Sequence, residues 1–278
     1  MKSDKKNQII NLINLAIKED KINEDITSKL SVSKNQKCKM FVKSKNNGIL
    51  FGIYVAILVL KKIDKKIKVK IFKSDGNSLK KGMRVLSLEG KAQSILKSER
   101  TILNFLGHLT GIASETNKLV KKTKTYKTKI CCTRKTLPGL RYLQKQAVKI
   151  GGGHNNRYDL REEIFVKDNH HLDKLNFRDK IILITKGNRT NKKINVEVDN
   201  IKQLKQIIDL KIDRILLDNF SPITLKKALK IIPNKIETEA SGNITSKNIL
   251  KYAKTGVKRI SLGYLTHSVK NFNFSLEF

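Results

Sequence analysis

The sequence predicts an α/β protein in which a small mixed domain is followed by an incomplete (β/α) barrel with fewer than eight strands. From residue 127 onward, short apolar runs alternate with helical stretches, a pattern typical of a parallel sheet. Three carboxylates within these runs or directly after them, Glu197, Asp218 and Glu239, follow one another at intervals of 21 residues, the length of one strand–helix unit. Residues 37–93 instead carry strand-like runs separated by Gly and Asp turns, which indicates a smaller mixed domain.

The first domain opens with an amphipathic helix. Ile9, Ile13 and Ile17 recur at helical spacing within residues 7–18. The run from Asp25 to Ser28 predicts a turn or a helix cap. The further elements expected here, in chain order, are a strand at 38–42, a helix at 53–62, a strand at 66–72, a turn at Asp75-Gly76 and a long helix at 94–120.

The barrel part contains six short apolar runs that we interpret as strands, each ending in a polar or charged residue or in glycine. These runs are Ile130–Thr133, Ile164–Val166, Ile194–Val198, Ile215–Leu217, Ile236–Ala240 and Ile260–Leu262. A further run, 181–184, fits either a strand or a helix. Because a (β/α) barrel places its active site at the carboxyl ends of its strands, we expect the functional residues there.

The stretch from Lys129 to His171 predicts a site for a small, rigid anion rich in carboxylate or phosphate. Two strand-like runs deliver cations at their carboxyl ends, and the triple glycine 151–153 between them lets backbone approach a ligand closely. Arginine suits such a ligand because its planar guanidinium can bind a carboxylate or a phosphate with two hydrogen bonds. The cations of this stretch that we expect at the barrel mouth are Arg134, Lys135, Arg157 and Lys167.

Carboxylates and glycines complete the predicted site. Glu197 and Asp218, from neighbouring strands, suit a hard cation such as Mg²⁺, which would in turn hold phosphates. Ser241-Gly242 and Gly263 end the last two strands, where barrels often bind a phosphate through backbone N–H groups. With the cations, these residues indicate transfer of a phosphorylated sugar. A structural role for any single one of them is an equal alternative.

The net charge of +35 is compatible with nucleic-acid binding, but its distribution argues against it. Only ten of the 59 Lys and Arg residues are arginine, and the lysines are spread evenly. A dedicated nucleic-acid binder clusters its cations and interleaves them with aromatic residues, and no such cluster occurs in the sequence. We therefore do not expect nucleic acid as a partner.

The location of the protein is predicted from three features of the sequence. The longest apolar run, 49–60, is too short to span a bilayer, and the N-terminus has no apolar region of the secretory type. The cysteines are three in number, and the adjacent pair Cys131 and Cys132 is expected to be buried in a strand. We expect a cytoplasmic protein without a membrane partner. His170, His171 and His267 have no metal-ligand spacing and are expected to be structural or exposed.

Several motifs together resemble one known family. The combination of TRKTLPGLR (133–141), GGG (151–153) and VKDNHH (166–171) resembles the quinolinate phosphoribosyltransferase family. Further stretches that match are EDITS (24–28), DGNSLKKG (75–82), SERTILNFLGHLTGIA (98–113), VEVDN (196–200), LLDNF (216–220), EASGNIT (239–245) and GVKRISLGYLTHS (256–268). The resemblance therefore extends over nearly the whole chain.

The resemblance implies a fold and a reaction. It implies an N-terminal α/β sandwich domain at 1–108, joined by the tail 266–278, and a barrel of fewer than eight strands at 109–265. It also favours a helix at 181–184. The implied reaction is phosphoribosyl transfer from phosphoribosyl pyrophosphate to quinolinate with decarboxylation, which gives nicotinate mononucleotide, CO₂ and pyrophosphate in de novo NAD synthesis. The family acts as a dimer or an assembly of dimers, in which Arg100 would reach into the partner's site.

The resemblance also implies roles for individual residues. Lys135, Glu197 and Asp218 would be catalytic, and Mg²⁺ would lie near Glu197 and Asp218, bound directly or indirectly. The implied substrate-binding residues are Arg100, Thr133, Arg134, Lys135, His154, Asn156, Arg157, Lys167, Glu197, Asp218, Ser241, Gly242, Asn243, Leu262, Gly263 and Tyr264.

Two positions depart from the family pattern. Asn156 stands where the family usually has histidine, and His154 would face the same side of an extended segment. Asn243 stands where the family favours glycine, and it brings a bulkier side chain near the expected phosphate site. Two alternatives stay open, the first because of Asn156 and the second because of the basic surface. One is a related enzyme acting on a different aromatic acid, and the other is a non-catalytic basic protein that binds RNA with a steep dependence on salt.

Overall fold

The computed structural model describes residues 3–170 and 175–278. The helices, in chain order, are α1 (Ser3–Glu19), α2 (Ile26–Ser31), α3 (Ile53–Ile63), α4 (Ala92–Thr123), α5 (Arg141–Ile150), α6 (Phe177–Gly187), α7 (Ile201–Lys205), α8 (Pro222–Leu229), α9 (Ile249–Ala253) and α10 (Tyr264–His267). The strands are β1 (Lys37–Ser44), β2 (Gly48–Ile49), β3 (Lys68–Ile71), β4 (Ser78–Leu79), β5 (Arg84–Lys91), β6 (Lys129–Cys132), β7 (His154–Asn155), β8 (Ile164–Val166), β9 (Ile194–Val198), β10 (Arg214–Asp218), β11 (Glu237–Ser241), β12 (Arg259–Ser261) and β13 (Phe274–Glu277). Short 3₁₀ helices lie at Ile22–Glu24, Lys124–Tyr126 and Asp168–His170.

The chain divides into two compact units. The first unit comprises the chain up to Asn117 with Thr136–Gly152 and Leu265–Phe278, and the second comprises Lys118–Lys135 and Gly153–Tyr264. The sequence predicted a domain boundary between residues 108 and 109, with the tail 266–278 in the first domain. These compact units do not test that boundary, which stays a prediction.

The first unit is built on an antiparallel sheet with the strand order β13-β1-β5-β3. Met40 and Val42 of β1 are buried, as expected for alternate residues on one face of a strand. The last strand, β13, pairs antiparallel with β1 and places Phe41 opposite Glu277. The C-terminal tail therefore forms an edge of this sheet.

The helices of the first unit confirm the periodicity of the sequence. Ile9 and Ile13 of α1 are buried, and the apolar stripe of α4 is fully buried at Ile95 and Ile102. The predicted cap at Asp25 is also confirmed, because its side chain accepts a hydrogen bond from the backbone N–H of Ser28 at 3.0 Å and so satisfies an end of α2.

The second unit is built on a parallel sheet of seven strands in the order β7-β6-β12-β11-β10-β9-β8. The prediction of an incomplete barrel with fewer than eight strands is confirmed. The sheet has one strand more than the six predicted from the sequence. This additional strand, β7, has only two residues, too few to give a periodic pattern. The run 181–184 lies within α6, which confirms the expected helix.

The parallel sheet is buried on both faces, as is usual for this class, but the two faces differ in polarity. Ile215 and Leu217 of β10 are fully buried on one face. On the other face the register sets Arg214 opposite Glu237 and Glu239 opposite Arg259. The charged residues of neighbouring strands are thereby paired. Within the described residues, no helix is both long and apolar enough to cross a membrane.

Candidate active site

Two carboxylates and a lysine meet at the carboxyl ends of three adjacent strands. Glu197 of β9 lies opposite Leu216 of β10, two residues before Asp218, and Lys167 directly follows β8. The Nζ atom of Lys167 lies 2.5 Å from Oε2 of Glu197, whose side chain is only 8% exposed. This ion pair fixes the lysine at the strand ends.

Charge interactions connect the side chains of this cluster. Burial raises the pKa of Glu197, the hydrogen bond and charge of Lys167 lower it, and the charge of Asp218 raises it again. Burial also raises the pKa of Asp218, whereas the charges of Lys167 and Lys135 and a hydrogen bond from Ser241 lower it. The net effect raises the pKa of both carboxyl groups, because burial outweighs the neighbouring cations, and these cations offset part of that cost.

A pair of arginines lies beside this cluster in the same unit. Burial lowers the pKa of Arg157, and the positive charge of Arg134 lowers it further, which shows that the two guanidinium groups act on each other. Nη1 of Arg157 donates to the backbone carbonyl of Glu163 at 3.0 Å. Two mutually repelling cations, one of them buried and anchored, favour binding of an anion.

Phe165 of β8 contributes to the placement of two cations and was missed in the sequence. The guanidinium carbon of Arg157 lies 5.3 Å from the centre of the Phe165 ring, and Nζ of Lys167 lies 5.2 Å from it. The alternation of the strand offered a signal, because Phe165 stands two residues before Lys167 and so shares its face.

The loop after β6 carries Thr133, Arg134 and Lys135. The hydroxyl of Thr133 accepts a hydrogen bond from the backbone N–H of Lys135 at 3.0 Å, which turns the chain directly after the strand. The charge of Lys135 reaches Asp218, so this loop belongs to the same strand-end cluster.

The loop after β11 is closely packed against the residue that follows β10. A Cβ atom on Gly242 would lie 2.1 Å from Oδ1 of Asn219, so only glycine fits at that position. Nδ2 of Asn243 donates to the same Oδ1 atom at 3.0 Å. Asn219 was not among the predicted site residues, since its role depends on the pairing of β10 with β11.

The end of β12 lies beside β6. The backbone N–H of Leu262 donates to the carbonyl of Cys131 at 2.9 Å, and Leu262 is itself buried. Gly263 follows, and Tyr264 begins α10. Cys131 and Cys132 are fully buried, as predicted, and burial raises the pKa of the Cys131 thiol, which keeps it protonated.

A buried ionic network occupies the charged face of the sheet. Arg214 and Arg259 each lie 3.3 Å from Oε2 of the fully buried Glu239. Glu237 completes the network through Nε of Arg214 at 3.0 Å. Because both arginines share carboxylate partners on neighbouring strands, the network stabilises the register of the sheet.

Asn156, one of the predicted substrate contacts, takes part in this network. Its Nδ2 atom lies 2.6 Å from Oε1 of Glu239 and 2.9 Å from the hydroxyl of Ser261. Its Oδ1 atom accepts from Nη2 of Arg259 at 2.6 Å. Both ends of the amide are thus bound within the network.

His154 lies at a different level of the sheet from Arg157. His154 is exposed, and desolvation together with the charges of Arg259 and Lys129 lowers the pKa of its ring. The roles given to His154 and Asn156 as substrate contacts stay predictions. Arg100 is exposed on α4 in the first unit, and its role in a partner's site also stays a prediction.

Glu197 and Asp218 at the strand ends could bind Mg²⁺ only together with oxygen ligands from water or substrate. Among the described residues, no group of three or more His, Cys, Asp or Glu side chains is arranged to hold a metal ion. Mg²⁺ is commonly bound through one or two carboxylates, with water and substrate phosphates as the remaining ligands. Glu197 and Asp218 fit that arrangement.

His170 and His267, two of the histidines expected to be structural or exposed, make local contacts in the structure. Nδ1 of His170 accepts from the backbone N–H of Lys167 at 3.1 Å, a structural role at the start of the 3₁₀ turn. Nδ1 of His267 lies 2.5 Å from the hydroxyl of Ser268. His171 lies outside the described residues.

Comparisons with known proteins agree with this geometry. Family models described as quinolinate phosphoribosyl transferase, N-terminal domain and C-terminal domain, match residues 25–110 and 112–277. The chain is 37% identical to a probable nicotinate-nucleotide pyrophosphorylase [carboxylating] of Bacillus subtilis over 272 residues, 97% of this chain and 93% of that protein. It is 41% identical to the protein of the same description from Methanocaldococcus jannaschii, over 91% of both chains.

Solved structures show the same similarity. The nicotinate-nucleotide pyrophosphorylase from Francisella tularensis matches with a TM-score of 0.92 and 38% identity, over 98% of this chain and 96% of that one. The corresponding protein from Ehrlichia chaffeensis matches with a TM-score of 0.90 and 36% identity, over 96% and 97% of the two chains.

Proposed function

The chain belongs to the quinolinate phosphoribosyltransferase family, and we propose that it catalyses the reaction that this membership implies. In that reaction the phosphoribosyl group of phosphoribosyl pyrophosphate is transferred to quinolinate, and nicotinate mononucleotide, CO₂ and pyrophosphate are formed as a step of de novo NAD synthesis. The observation that carries the proposal is that Arg157 and Lys167 lie 5.3 and 5.2 Å from the centre of the same Phe165 ring, which brings the Arg134–Arg157 pair beside the cluster of Lys167, Glu197 and Asp218.

The arginine pair is suited to the acceptor. Quinolinate is a rigid pyridine with two adjacent carboxylates, and each guanidinium can bind one carboxylate through two hydrogen bonds. The dicarboxylate would also relieve the repulsion between Arg134 and Arg157. Lys135 and Lys167 supply further positive charge, which offsets the charge of the acid and of the phosphoribosyl donor.

The carboxylates and the glycine loops are suited to the donor. Glu197 and Asp218 would hold Mg²⁺, directly or through water, and the ion would supply positive charge to the pyrophosphate as it leaves. The loops at Ser241-Gly242 and at Gly263 offer backbone N–H groups to the 5-phosphate. Asn243 and the backbone around Leu262 and Tyr264 border these loops.

The first chemical step is substitution at the anomeric carbon. The bond from that carbon to the pyrophosphate oxygen breaks with its electron pair on oxygen, and the pyridine nitrogen forms the new bond. Positive charge develops on the ribose during this step, and the ionised Glu197 and Asp218 stabilise it electrostatically. Lys135, whose charge reaches Asp218, would balance the negative charge of the carboxylates during this step.

The second step is loss of the 2-carboxylate as CO₂. The carbon–carbon bond breaks, the positively charged pyridinium nitrogen stabilises the electron pair left on the ring carbon, and a proton from solvent or a site residue then adds there. The protein contributes mainly by holding the acceptor and the donor in reactive alignment. We further propose a cytoplasmic homodimer or assembly of dimers, in which the exposed Arg100 completes the partner's site.

The test is turnover of the purified protein with quinolinate, phosphoribosyl pyrophosphate and Mg²⁺, followed by release of CO₂ and formation of nicotinate mononucleotide. Parallel reactions offer nicotinate and other pyridine or pyrrole acids. Product from quinolinate supports the proposal. Activity only on another acid would show that this acid, and not quinolinate, is the acceptor. Inactivity of a folded protein on every acid would favour the non-catalytic alternative.

A further inference from the structure

The side chain of Asn219 joins the carboxylate of Asp218 to the side chain of Asn243. Its Nδ2 atom donates to Oδ2 of Asp218 at 2.7 Å, and its Oδ1 atom accepts from Nδ2 of Asn243 at 3.0 Å. The backbone N–H of Asn219 also donates to the carbonyl of Ser241 at 2.9 Å. The first bond holds Asn219 against the end of β10, and the other two connect it to the end of β11 and to the loop that follows.

The direction of this hydrogen-bond chain is determined by chemistry. The ionised carboxylate of Asp218 can only accept, so Asn219 must present its NH₂ group to it. The carbonyl end of the Asn219 amide then faces Asn243, which must donate. A residue without a side-chain donor at position 243 therefore leaves the orientation of the Asn219 amide unsupported.

The backbone holds both amides in place. Asn219 and Asn243 have φ angles of 54° and 52°, in the left-handed region that asparagine tolerates better than most residues. Gly242 between the two strand ends leaves no space for a side chain, and its φ angle is 87°. Nδ2 of Asn248 donates to the carbonyl of Asn243 at 3.0 Å, which fixes the loop from its other side.

We propose that Asn243 is a positioning residue, whose amide acts through Asn219 to orient the Asp218 carboxylate toward the phosphoribosyl donor. The inference rests on the proposed function of Asp218. It also gives a reason for the departure from the family pattern at this position, since glycine has no side chain with which to hold Asn219.

The test is a double-mutant cycle of Asn243→Gly and Asn219→Gly. Glycine keeps the left-handed backbone of both sites and removes only the amides. The loss of one hydrogen bond should raise the KM for phosphoribosyl pyrophosphate about 2- to 10-fold in Asn243→Gly and leave the KM for quinolinate unchanged. In the Asn219→Gly background the same substitution should have no effect, because the residue through which it acts is gone.

The matched control is Asn191→Gly. Asn191 has a φ angle of 52° and is exposed in a loop away from the strand-end cluster, so this variant reproduces the backbone change alone. Its KM values should equal those of the wild type. An effect of Asn243→Gly that persists in the Asn219→Gly background would show a direct contact with substrate and overturn the proposal.

A second measurement does not depend on turnover. The side-chain NH₂ signals of Asn219 in the nuclear magnetic resonance spectrum of the full protein should move when Asn243 is replaced by glycine and stay unchanged in Asn191→Gly. An inactive wild type would refute the proposed function. The Asn219 signals would even then show whether Asn243 is hydrogen-bonded to Asn219. Unchanged signals in Asn243→Gly would refute the chain itself.

Discussion

The amide nitrogen of Asn156 donates a hydrogen bond to the fully buried carboxylate of Glu239 at 2.6 Å. In the sequence, position 156 stands out because the resembling family has histidine there. In the structure the same amide accepts from Arg259, so the residue before Arg157 is tied to the ionic network of the sheet. The position of Arg157 therefore depends on the bonds of Asn156 to Glu239 and Arg259, which are too distant in the chain for a local sequence pattern to reveal.

Replacing Asn156 with alanine should destabilise the protein. Glu239 and Arg259 would each lose a hydrogen-bond partner in a buried setting, which costs about 1–3 kcal/mol of the free energy of unfolding. Urea unfolding at neutral pH measures the loss, and Asn11→Ala on the exposed face of α1 is the control. A variant with wild-type stability and a raised KM for quinolinate would instead make Asn156 a substrate contact.

Replacing Arg134 or Arg157 with alanine should lower kcat/KM for quinolinate about 10²–10³-fold, the usual cost of removing one group that stabilises a reacting anion. Steady-state kinetics with each substrate varied in turn measures this loss. Arg178→Ala is the control, because Arg178 forms an exposed ion pair with Asp209 at 2.6 Å outside the cluster. Near-normal kcat/KM in both Arg134→Ala and Arg157→Ala would contradict the assignment of the acid site.

Replacing Gly242 with alanine should impair activity more than the same change at Gly256. Both glycines have positive φ angles, 87° and 89°, so either substitution strains the backbone by about 1–2 kcal/mol. Only at Gly242 does the new Cβ atom also collide with Asn219, since nothing lies within 4 Å of the Cβ position at Gly256. We expect kcat/KM to fall in Gly242→Ala and to stay near the wild-type value in Gly256→Ala. Equal values would show that the contact with Asn219 has no effect on the site.

The C-terminal strand should be sensitive to acid. Hydrogen bonds from Lys43, Lys45 and Ser275 lower the pKa of Glu277 from 4.5 to about 2. A carboxyl group whose pKa is lowered by folding stabilises the native state above its unfolded pKa, and this contribution is lost as the pH falls through the folded pKa. Glu277→Gln should therefore be less stable than the wild type at pH 7, and the difference should shrink as the pH falls from about 4.5 toward 2.

Urea unfolding over this pH range measures the difference between the two proteins. Glu89→Gln is the control, since the exposed ion pair of Glu89 with Lys68 spans 3.9 Å and such surface pairs contribute little. A difference between the wild type and Glu277→Gln that is the same at every pH would show that the ionised carboxylate is not what holds the strand.

The sequence predicted the parts of this molecule that depend on local pattern. Alternating apolar runs and helices indicated a parallel sheet, and the polar residues that end each run indicated where Arg134, Lys167, Glu197 and Asp218 would gather. The helix periodicity and the Asp25 cap were predicted for the same reason, because each depends on residues only a few positions apart. The motifs that resemble the family were also contained in the sequence.

Only the tertiary structure decided which distant side chains meet. The two-residue strand β7 was not predicted, because it is defined by pairing with β6. The bonds of Asn156 to Glu239 and of Asn219 to Asn243 join residues 83 and 24 positions apart. Such contacts are determined by the register between strands and by burial. Neither is contained in the short-range spacing of residues, which determines only the elements themselves.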